Sequence, residues 1–385
     1  MATLGVGIIG CGVISGIYMK NMPLFNGLAL KACADMRPES ATAQAKEYGI
    51  EALSVPELLA RADIDLIVNL TVPNAHFAVS QAALNAGKHL FSEKPLCVSP
   101  DEARQLVQLG QARNLHVGGA PDTFLGAGGR LARQLVDDNA IGRVIAGSVF
   151  LMARGPESWH PDPEFFYKPG GGPVLDMAPY YLATLVNLIG PIARVQARGT
   201  KGFVERVVTA PGPKNGSRIL VEVPTTVMAV LTSGSGVEIN FNMSWDVWAH
   251  SHPPIELYGS EGSLRVPDPN FYDGIVHLTQ RSGDWQEKNS ASMLFGLANY
   301  RSPAWPAARA DRANYRCLGI AEMASSILNG TAHRSSGQLA SHVLDVMDAI
   351  LKSGESGDSL AIDVATQQPA VMLEAEAARL WRGAS

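Results

Sequence analysis

The 385-residue sequence predicts an α/β fold with two parts: an N-terminal doubly wound parallel sheet, and a C-terminal α+β domain with a large, mostly antiparallel open sheet. Three observations predict it. Short apolar runs alternate with helical patterns in the first third, β-rich runs follow without helices between them, and a glycine-rich turn comes after the first apolar run. The pattern changes near residue 122, which divides the chain into predicted domains 1–122 and 123–385.

The elements of the first domain follow one another in order. Strands are predicted at residues 6–9, 28–34, 64–70, 89–91 and 116–118. A helix over residues 101–113 has a clear start, because Ser99 can cap it, Pro100 suits its first turn and Glu102 can complete a capping box.

The second domain begins with a predicted helix over residues 127–138 and continues with strands. These strands are predicted at 144–152, 194–199, 225–232, 237–245 and 255–266. Helical patterns return at 312–328, 337–352 and 365–381, where they cover one face of the sheet or dock back on the first domain. Residues 282–312 have no clear period and predict a long loop, which is usually functional or disordered.

The composition favours small-molecule chemistry. The length fits roughly two or three domains, and 46% apolar residues can form sizeable cores. A formal charge of −5 and a pI near 6.0 give no basic surface for nucleic acid or anionic membranes. We expect no signal peptide, and no apolar run reaches the roughly 20 residues that span a bilayer. The four cysteines lack Cys-x-x-Cys spacing, which favours reduced thiols in a cytoplasm.

The turn Gly10-Cys11-Gly12, between the first strand and a helix from about Ser15, has the spacing of a dinucleotide-binding turn. The first glycine allows the tight turn, and the second lets backbone amides approach a pyrophosphate. Ser15 in place of Gly or Ala is a mild departure, since a small residue still lets the helix pack closely. Val13 and Ile14 belong to the same turn and are predicted cofactor contacts.

Asp35 closes the second predicted strand, where a carboxylate accepts hydrogen bonds from the adenosine ribose and repels a 2′-phosphate. NAD is therefore the predicted cofactor. Arg37 could pair with a 2′-phosphate, which keeps NADP possible. The alternative is that both are ordinary strand-end charges, but the strand, turn, helix and strand around them favour the cofactor site.

The segment Glu93-Lys94-Pro95 ends the fourth predicted strand and presents an ammonium at the carboxyl edge of the sheet, where open α/β folds bind ligands. Pro95 restricts the residues before it to extended geometry, so Lys94 is aimed into that site. Glu93 is a predicted cofactor contact. The alternative for an isolated Glu-Lys-Pro is a solvated lysine, and the neighbouring segments decide against it.

Four polar or bend-forming residues follow the third predicted strand at the same edge. They are predicted cofactor contacts: Thr71, Pro73, Asn74 and His76. A lone histidine is more often a cap or a packing residue than a catalyst, so His76 is kept only as a contact on the cofactor side.

A glycine-rich segment, Gly170-Gly171-Gly172, precedes an apolar helical pattern in the second domain. Pro179 is tolerated only near a helix start, so the helix is predicted to begin close to Asp176. Asp176 and Tyr180 then share one face. An Asp can bind a sugar hydroxyl, and a Tyr phenol beside a lysine can exchange the hydroxyl proton. Without Lys94, a helix cap and core packing would be the simpler interpretation.

Further candidate substrate contacts lie around this helix. They are Asp122 after the last strand of the first domain, Arg154, Trp159 and His160 in a Gly/Pro-rich segment, and His252 in a loop between strands. Trp159 could stack on a sugar face, although hinge packing is an equal alternative. The nine histidines are dispersed and hydride transfer to nicotinamide needs no metal, so no metal site is predicted.

Over most of its length the chain resembles the glucose-fructose oxidoreductase/inositol dehydrogenase/rhizopine catabolism (Gfo/Idh/MocA) family. The motifs that carry the resemblance are Gly10-x-Gly12, Thr71-Val72-Pro73-Asn74-x-His76, Gly87-Lys88-His89, Glu93-Lys94-Pro95, Gly170-Gly171-Gly172, Leu175-Asp176 and Tyr258-Gly259-Ser260-Glu261-Gly262. The resemblance implies a Rossmann domain followed by an open-sheet domain whose exposed face mediates homodimers or homotetramers. It also implies reversible oxidation of a hydroxyl on a sugar, polyol or related compound.

The resemblance further implies roles for three residues. Lys94 would be the catalytic lysine, Asp176 the substrate-binding carboxylate, and position 180 the proton donor or acceptor. Many members have histidine at the last position, whereas Tyr180 is similar to the glucose-fructose oxidoreductase and dimeric dihydrodiol dehydrogenase branches. A Lys94–Tyr180 pair would therefore replace a histidine relay, with one cation stabilising alkoxide character as the hydride leaves.

Three functions are compatible with these residues. The leading hypothesis is an NAD(P)-dependent dehydrogenase or reductase acting on a sugar, polyol or glycoside hydroxyl. The second is a glycoside-cleaving enzyme that oxidises the sugar transiently and recycles its bound NAD. The third is a non-catalytic NAD-binding sensor, which would not need Lys94, Asp176 and Tyr180 together. The identity of the sugar and the carbon oxidised depend on loop geometry that the sequence does not specify.

Overall fold

The computed structural model describes residues 2–281, 283–301 and 311–383. The chain forms two compact units. The first contains the residues up to Gly126, together with Tyr315–Leu344 and the residues from Met372 onward. The second contains Ala127–Asn314 and Asp345–Val371. The sequence predicted a single division at residue 122. The structure differs because two C-terminal segments pack within the first unit.

The first unit is built on a six-stranded sheet in which every strand pair is parallel. Its strands are β1 (Leu4–Ile9), β2 (Leu28–Ala34), β3 (Glu51–Ala52), β4 (Leu66–Asn69), β5 (His89–Ser92) and β6 (Val117–Gly119). The order across the sheet is β3-β2-β1-β4-β5-β6, so the direction of winding reverses between β1 and β4. Ligands of open α/β sheets bind outside the carboxyl ends of strands at such a point.

Helices connect these strands. They are α1 (Ser15–Asn21), α2 (Pro38–Tyr48), α3 (Val55–Ala60), α4 (Pro73–Asn85) and α5 (Pro100–Ala112). The side chain of Ser99 accepts the N–H of Glu102 and caps α5, as predicted. β1 and β4 are buried along their whole length, as expected of strands covered on both faces. The doubly wound parallel sheet is confirmed, although the two-residue β3 was not predicted.

The second unit carries a nine-stranded sheet with one open face. Its strands are β7 (Val144–Met152), β8 (Ile192–Thr200), β11 (Thr226–Ser233), β12 (Glu238–Ser244), β13 (Ile255–Gly259), β14 (Gly262–Val266), β15 (Ile275–Gln280), β16 (Gln286–Asn289) and β19 (Leu360–Ala361), in the order β16-β15-β14-β13-β7-β12-β11-β8-β19. The pairs are antiparallel except β7 with β12. The predicted large, mostly antiparallel open sheet is confirmed.

Two small hairpins and two helices also belong to this unit. The hairpins pair β9 (Glu205–Val207) with β10 (Arg218–Leu220), and β17 (Tyr300–Arg301) with β18 (Asp311–Arg312). The helices α6 (Ala127–Asp137) and α7 (Pro173–Ile189) pack against the nine-stranded sheet. The predicted loop over 282–312 contains short strands, and its residues 282 and 302–310 lie outside the described residues.

The first and last C-terminal helices are shorter than predicted, whereas the middle one begins as predicted and ends at Ser356 instead of residue 352. They are α8 (Leu318–Asn329), α9 (Gly337–Ser356) and α10 (Glu374–Leu380). The helix predicted over 365–381 is wrong in its first half, which is extended around Pro369. Proline lacks the N–H that a helix interior needs, and the carbonyl of Pro369 accepts a hydrogen bond from Arg133 at 2.8 Å. No helix of the described residues is long and apolar enough to cross a membrane.

Candidate functional site

The glycine-rich turn follows β1 at the carboxyl edge of the first sheet. Gly10 has φ +103°, and a Cβ atom there would lie 2.5 Å from the carbonyl carbon of Leu70, so only glycine fits. A Cβ atom on Gly12 would meet nothing within 4 Å. The protein's own packing therefore does not require glycine at position 12. Open space at this point leaves room for the close approach of a pyrophosphate, and the turn fits a dinucleotide.

The start of α1 is tied to this turn. Ser15 is buried, and both its N–H and its hydroxyl donate to the carbonyl of Gly12, at 3.1 and 2.7 Å. Serine at this position is therefore small enough to be buried where the fingerprint usually has Gly or Ala, and it also bonds the start of α1 to the turn. Val13 is fully exposed on the turn, and Ile14 precedes the first residue of α1.

Asp35 follows β2 and lies beside the turn. Its Oδ2 atom accepts the N–H of Cys11 at 2.7 Å, and its Oδ1 atom accepts the N–H of Arg37 at 2.8 Å. These two hydrogen bonds fix the carboxylate in place, and the one from Cys11 stabilises the glycine-rich turn. The Arg37 side chain is 65% exposed with its Nε atom 3.8 Å from Oδ1 of Asp35. A cation is thus available next to the carboxylate.

The residues after β4 form a second part of the edge. The hydroxyl and N–H of Thr71 donate to the side-chain oxygen of the buried Asn69. Pro73 and Asn74 are exposed at the first turn of α4. His76 is buried instead, and its ring nitrogens lie 2.6 Å from the carbonyl of Pro95 and 3.0 Å from that of Thr71. His76 therefore links the loops that contain Thr71 and Pro95 from inside the protein, whereas the sequence predicted it as a cofactor contact.

The segment Glu93-Lys94-Pro95 follows β5 at this same edge, and the Lys94–Pro95 peptide is cis. The N–H of Glu93 donates to the carbonyl of Asn69 at 2.9 Å. The Glu93 carboxylate accepts the hydroxyl of Tyr18 at 2.7 Å and the N–H of Lys94 at 2.9 Å. Glu93, predicted as a cofactor contact, is thus engaged in holding the lysine segment.

Asp122, predicted as a substrate contact, is buried and faces the protein interior. Its Oδ2 atom accepts the N–H of Gly319 at 2.8 Å, at the first turn of α8. A carboxylate at a helix N-terminus satisfies a free N–H and complements the helix dipole. Asp122 therefore holds the start of α8 against the end of β6. The sequence pattern did not indicate this long-range contact.

Asp176 and Tyr180 lie one turn apart on α7, as predicted, with Tyr180 buried and Asp176 half-buried. The helix begins earlier than expected, at Pro173, and the N–H of Asp176 donates to the carbonyl of Gly172 at 3.1 Å. Gly172 has φ +94°, which lets the chain enter the helix there. Pro179 consequently lies inside α7, where it removes an N–H that would have bonded to Leu175.

The remaining candidates lie on two segments of the second unit. Trp159 is 54% exposed and contacts the rings of His160 and Phe166 edge-on. The guanidinium carbon of Arg154 lies 3.5 Å from the ring centroid of Trp248, a cation–π contact. His252 is exposed and stacks on Phe150 of β7 at a centroid distance of 4.0 Å.

A buried ion network, which the sequence did not indicate, holds the segment carrying Arg154 and Trp159. Glu157 is fully buried and accepts hydrogen bonds from Arg206 of β9, at 3.2 Å, and from the hydroxyl of Tyr167. Arg206 also binds the carboxylate of Asp246. Burial and the contact with Glu157 raise the pKa of Tyr167, so its phenol stays protonated and donates.

Each unit therefore gathers its own set of predicted residues. In the first, the residues that follow β1, β2, β4 and β5 meet at one edge because these strands are neighbours in a parallel sheet. They are Gly10, Gly12, Val13, Ile14, Asp35, Arg37, Thr71, Pro73, Asn74, Glu93 and Lys94. In the second, Asp176 and Tyr180 share α7, and Arg154, Trp159 and His160 share one segment.

Comparisons with known proteins match both units. The model described as "Oxidoreductase family, NAD-binding Rossmann fold" matches residues 4–118, and that of the "GFO/IDH/MocA C-terminal domain" matches residues 130–265. A dTDP-3,4-didehydro-2,6-dideoxy-alpha-D-glucose 3-reductase of Streptomyces violaceoruber is 30% identical over 68% of this chain and 72% of its own. Myo-inositol 2-dehydrogenase of Thermotoga maritima is 23% identical over 77% of this chain and 83% of its own.

Solved structures share the fold. Levoglucosan dehydrogenase in complex with NADH and L-sorbose has a TM-score of 0.77 over 94% of this chain and 100% of that chain, at 20% identity. Some relatives are matched over less of their length. The aligned region spans 55% of an oxidoreductase of Schizosaccharomyces pombe and 66% of a putative UDP-kanosamine synthase oxidoreductase subunit of Amycolatopsis mediterranei.

Proposed function

Because the chain belongs to the Gfo/Idh/MocA family of NAD-binding oxidoreductases, we propose that it catalyses reversible hydride transfer between NAD and a hydroxyl-bearing carbon of a sugar or polyol. One observation carries the proposal. Lys94 follows β5 at the same carboxyl edge of the sheet where Gly12 and Asp35 follow β1 and β2, so a lysine and a turn shaped for a dinucleotide belong to one edge.

The residues that would hold NAD lie along this edge. The backbone at Gly12 would receive the pyrophosphate, the Asp35 carboxylate would accept the ribose hydroxyls, and Pro73 and Asn74 are exposed for further contacts. Bound NAD supplies the acceptor for the hydride, at C4 of its nicotinamide. Asp35 favours NAD over NADP, since a carboxylate repels a 2′-phosphate.

The chain's own residues would bind the substrate and move its proton. In the oxidative direction the C–H bond breaks with its electron pair leaving as hydride, and the O–H proton passes to a protein base. We assign Lys94 and Tyr180 to this proton transfer and Asp176 to a substrate hydroxyl. An ammonium next to the reacting oxygen stabilises the negative charge that develops there. We propose that Tyr180 takes the proton-transfer role that the family resemblance gives to position 180.

The substrate side is proposed to include Arg154, Trp159, His160 and His252. An exposed tryptophan offers a flat apolar surface of the kind that stacks on sugar rings, and Trp159 is exposed while its edge is held by Phe166. Asp122 is absent from this set, because its carboxylate is buried against α8.

The test is absorbance-monitored reduction of NAD and NADP by the purified protein with a panel of aldoses, inositols, anhydrosugars and glycosides. We expect reduction with at least one of them and a preference for NAD. The variant Lys94→Met should lower kcat by about 10²-fold or more while NAD still binds, because general acid-base and electrostatic contributions have that size. Lys46→Met, which removes an exposed lysine of α2, is the matched control.

The outcomes separate the alternatives. Full turnover in Lys94→Met would overturn the proposed mechanism. A protein that binds NAD but reduces none would direct attention to ketosugar reduction, to glycoside cleavage with recycled NAD, or to a sensor. The first is tested by NADH oxidation and the second by release of the aglycone.

We also propose that the chain forms a homo-oligomer through the open face of the nine-stranded sheet. On β11, Val227, Ala229 and Leu231 are buried, whereas Met228 and Val230 on the opposite face are 55% and 44% exposed. Apolar side chains of this kind on a solvent-facing sheet mark interaction surfaces. Light scattering should give a mass that is two or four times the 40.9 kDa of one chain.

The double variant Met228→Glu/Val230→Glu should reduce that mass to the monomer, because buried charges at an interface are costly. Val204→Glu is the control, since Val204 is 75% exposed but lies outside this sheet. A monomeric wild-type protein would contradict the proposal.

A further inference from the structure

The hydroxyl of Tyr18 links the first helix of the protein to the segment that carries Lys94. Tyr18 lies on α1 with its side chain fully buried, and its Oη atom donates to Oε1 of Glu93 at 2.7 Å. A hydrogen bond from a hydroxyl to a carboxylate is charge-assisted and stronger than a neutral one. Tyr18 therefore fixes the Glu93 side chain to α1.

The second oxygen of Glu93 continues the link to the lysine itself. Oε2 accepts the main-chain N–H of Lys94 at 2.9 Å. The neighbouring main chain is held as well, since the N–H of Glu93 donates to Asn69 at 2.9 Å and His76 bonds to the carbonyl of Pro95 at 2.6 Å. The Glu93 carboxylate thus connects the backbone of Lys94 to a different element of the fold.

The other end of this link is the glycine-rich turn. The first residue of α1, Ser15, donates from both its N–H and its hydroxyl to the carbonyl of Gly12. Tyr18 lies one turn further along the same short helix, and its carbonyl accepts the buried thiol of Cys317 at 3.2 Å. The position of the Tyr18 hydroxyl is therefore set by the turn that would receive the dinucleotide.

We propose that Tyr18 is a positioning residue for Lys94: acting through Glu93, it holds the ammonium in place relative to the glycine-rich turn. The inference rests on the proposed function only in giving Lys94 its catalytic role. The Tyr18 side chain is fully buried, so we place it behind the site and not among the groups that contact a ligand. Loss of its hydroxyl leaves one oxygen of Glu93 without its donor and loosens the carboxylate that holds the Lys94 N–H.

The test compares Tyr18→Phe with Tyr48→Phe. Both variants keep the ring and remove one hydroxyl that binds within the same unit, since Tyr48 donates to the carbonyl of Gly16 on α1 at 3.1 Å. Of these two tyrosines, Tyr18 is the one that binds Glu93. Thermal unfolding of both variants checks that the fold is retained.

The first measurement needs no substrate. The protein is acetylated briefly with acetic anhydride, and mass spectrometry gives the rate at Lys94 relative to the exposed Lys46 in the same molecule. We expect the relative rate at Lys94 to rise at least threefold in Tyr18→Phe and to stay within 1.5-fold in Tyr48→Phe, on the reasoning that a released segment exposes its amine more often. An unchanged rate in Tyr18→Phe would overturn the proposal.

The second measurement is steady-state kinetics. Tyr18→Phe should lower kcat by about 10-fold or more and leave KM for NAD within twofold, because a misplaced catalytic group costs rate and not binding. A purely structural effect would change both variants alike. In a Glu93→Gln background, Tyr18→Phe should have a much smaller effect on kcat, since the path between the two residues is already altered. Equal effects in both backgrounds would contradict the role of Glu93.

The two measurements also separate this inference from the proposed function. If no substrate is turned over by the wild type, the proposed function fails while the acetylation rates still test the link. If the wild type turns over substrate and the acetylation rates of Tyr18→Phe and wild type agree, the link fails while the function stands.

Discussion

The main-chain N–H of Cys11 donates a hydrogen bond of 2.7 Å to Oδ2 of Asp35, so the carboxylate that would choose the cofactor also braces the turn that would bind it. The buried thiol of Cys11 donates to the carbonyl of Ala34 at 3.5 Å, and the neighbouring Cys33 together with burial raises its pKa, so the thiol stays protonated. If Asp35 selects the cofactor as proposed, one side chain would determine both cofactor preference and turn geometry.

Asp35→Ser should therefore affect both properties. We expect Kd for NAD to rise about tenfold, which is ~1.4 kcal/mol, and the affinity for NADP relative to NAD to increase, because the charge repulsion is lost while Arg37 stays available. Titration calorimetry with each cofactor measures this. Asp65→Ser is the control, since Oδ2 of Asp65 accepts the N–H of Gly5 at 2.8 Å at the other end of β1. An unchanged preference in Asp35→Ser would show that another group selects the cofactor.

The two glycines of the turn should respond differently to alanine. At Gly12 the new methyl group enters open space, so stability should change by less than about 1 kcal/mol while Kd for NAD rises tenfold or more. At Gly10 the positive φ and the contact with Leu70 should cost several kcal/mol. Thermal unfolding and NAD titration of both variants check this. Normal NAD affinity in a folded Gly12→Ala protein would contradict the placement of the pyrophosphate.

The buried ion network of the second unit predicts a large loss of stability for Arg206→Met. Removing this cation leaves the carboxylates of Glu157 and Asp246 buried without it, which typically costs 3–5 kcal/mol. Arg218→Met on the partner strand of the same hairpin removes an exposed arginine that binds Glu205, and should cost at most ~1 kcal/mol. Urea unfolding followed by tryptophan fluorescence compares them, and equal losses would refute this account.

Buried histidines should make the first unit sensitive to acid. Burial, aided at the first two by the neighbouring His116, lowers the pKa of His89, His333 and His342 from 6.5 to about 4. Because the folded pKa lies below the unfolded one, their stabilising contribution is complete above pH 6.5 and is lost as the pH falls toward 4. One such group loses about 2 kcal/mol between pH 7.5 and pH 5.

The variant His342→Leu tests this directly. Its unfolding free energy should fall less between pH 7.5 and pH 5 than that of the wild type, by on the order of 2 kcal/mol. His250→Leu, at an exposed position, should leave the pH dependence unchanged. Parallel pH profiles for His342→Leu and the wild type would exclude a contribution from this histidine.

The predictable part of the site was the part determined by local pattern. Glycines after an apolar run, an acid at the end of the next strand and a lysine before proline all mark strand ends, and parallel strands bring their carboxyl ends to one edge. The sequence therefore predicted that Gly12, Asp35 and Lys94 follow strands at one edge, and the structure has all three there. Their contacts with a cofactor stay a prediction. The sequence did not reveal that His76 and Asp122 turn inward, because their partners are set by tertiary packing.

The unpredicted part depends on distant partners. Glu157 finds its arginine 49 residues later in β9, and no local period indicates such a pair. The first half of the helix predicted over 365–381 does not form, because Pro369 outweighs an otherwise helical pattern. The return of a C-terminal helix to the first unit was one of two alternatives that the pattern left open, and contacts between α8 and β6 decide it.

The first unit is discontinuous in sequence, so it can complete its fold only after its C-terminal segments have been synthesised. Gly119 of β6 bonds to Ser335 at 3.1 Å, Asn26 to Leu380 at 2.8 Å, and Phe25 packs edge-on against Trp381. At about 5–20 residues per second, the ribosome delivers these late partners on the order of ten seconds or more after the strands they complete. During translation β6 and Phe25 therefore remain without these partners until residues 335 and 381 have been synthesised.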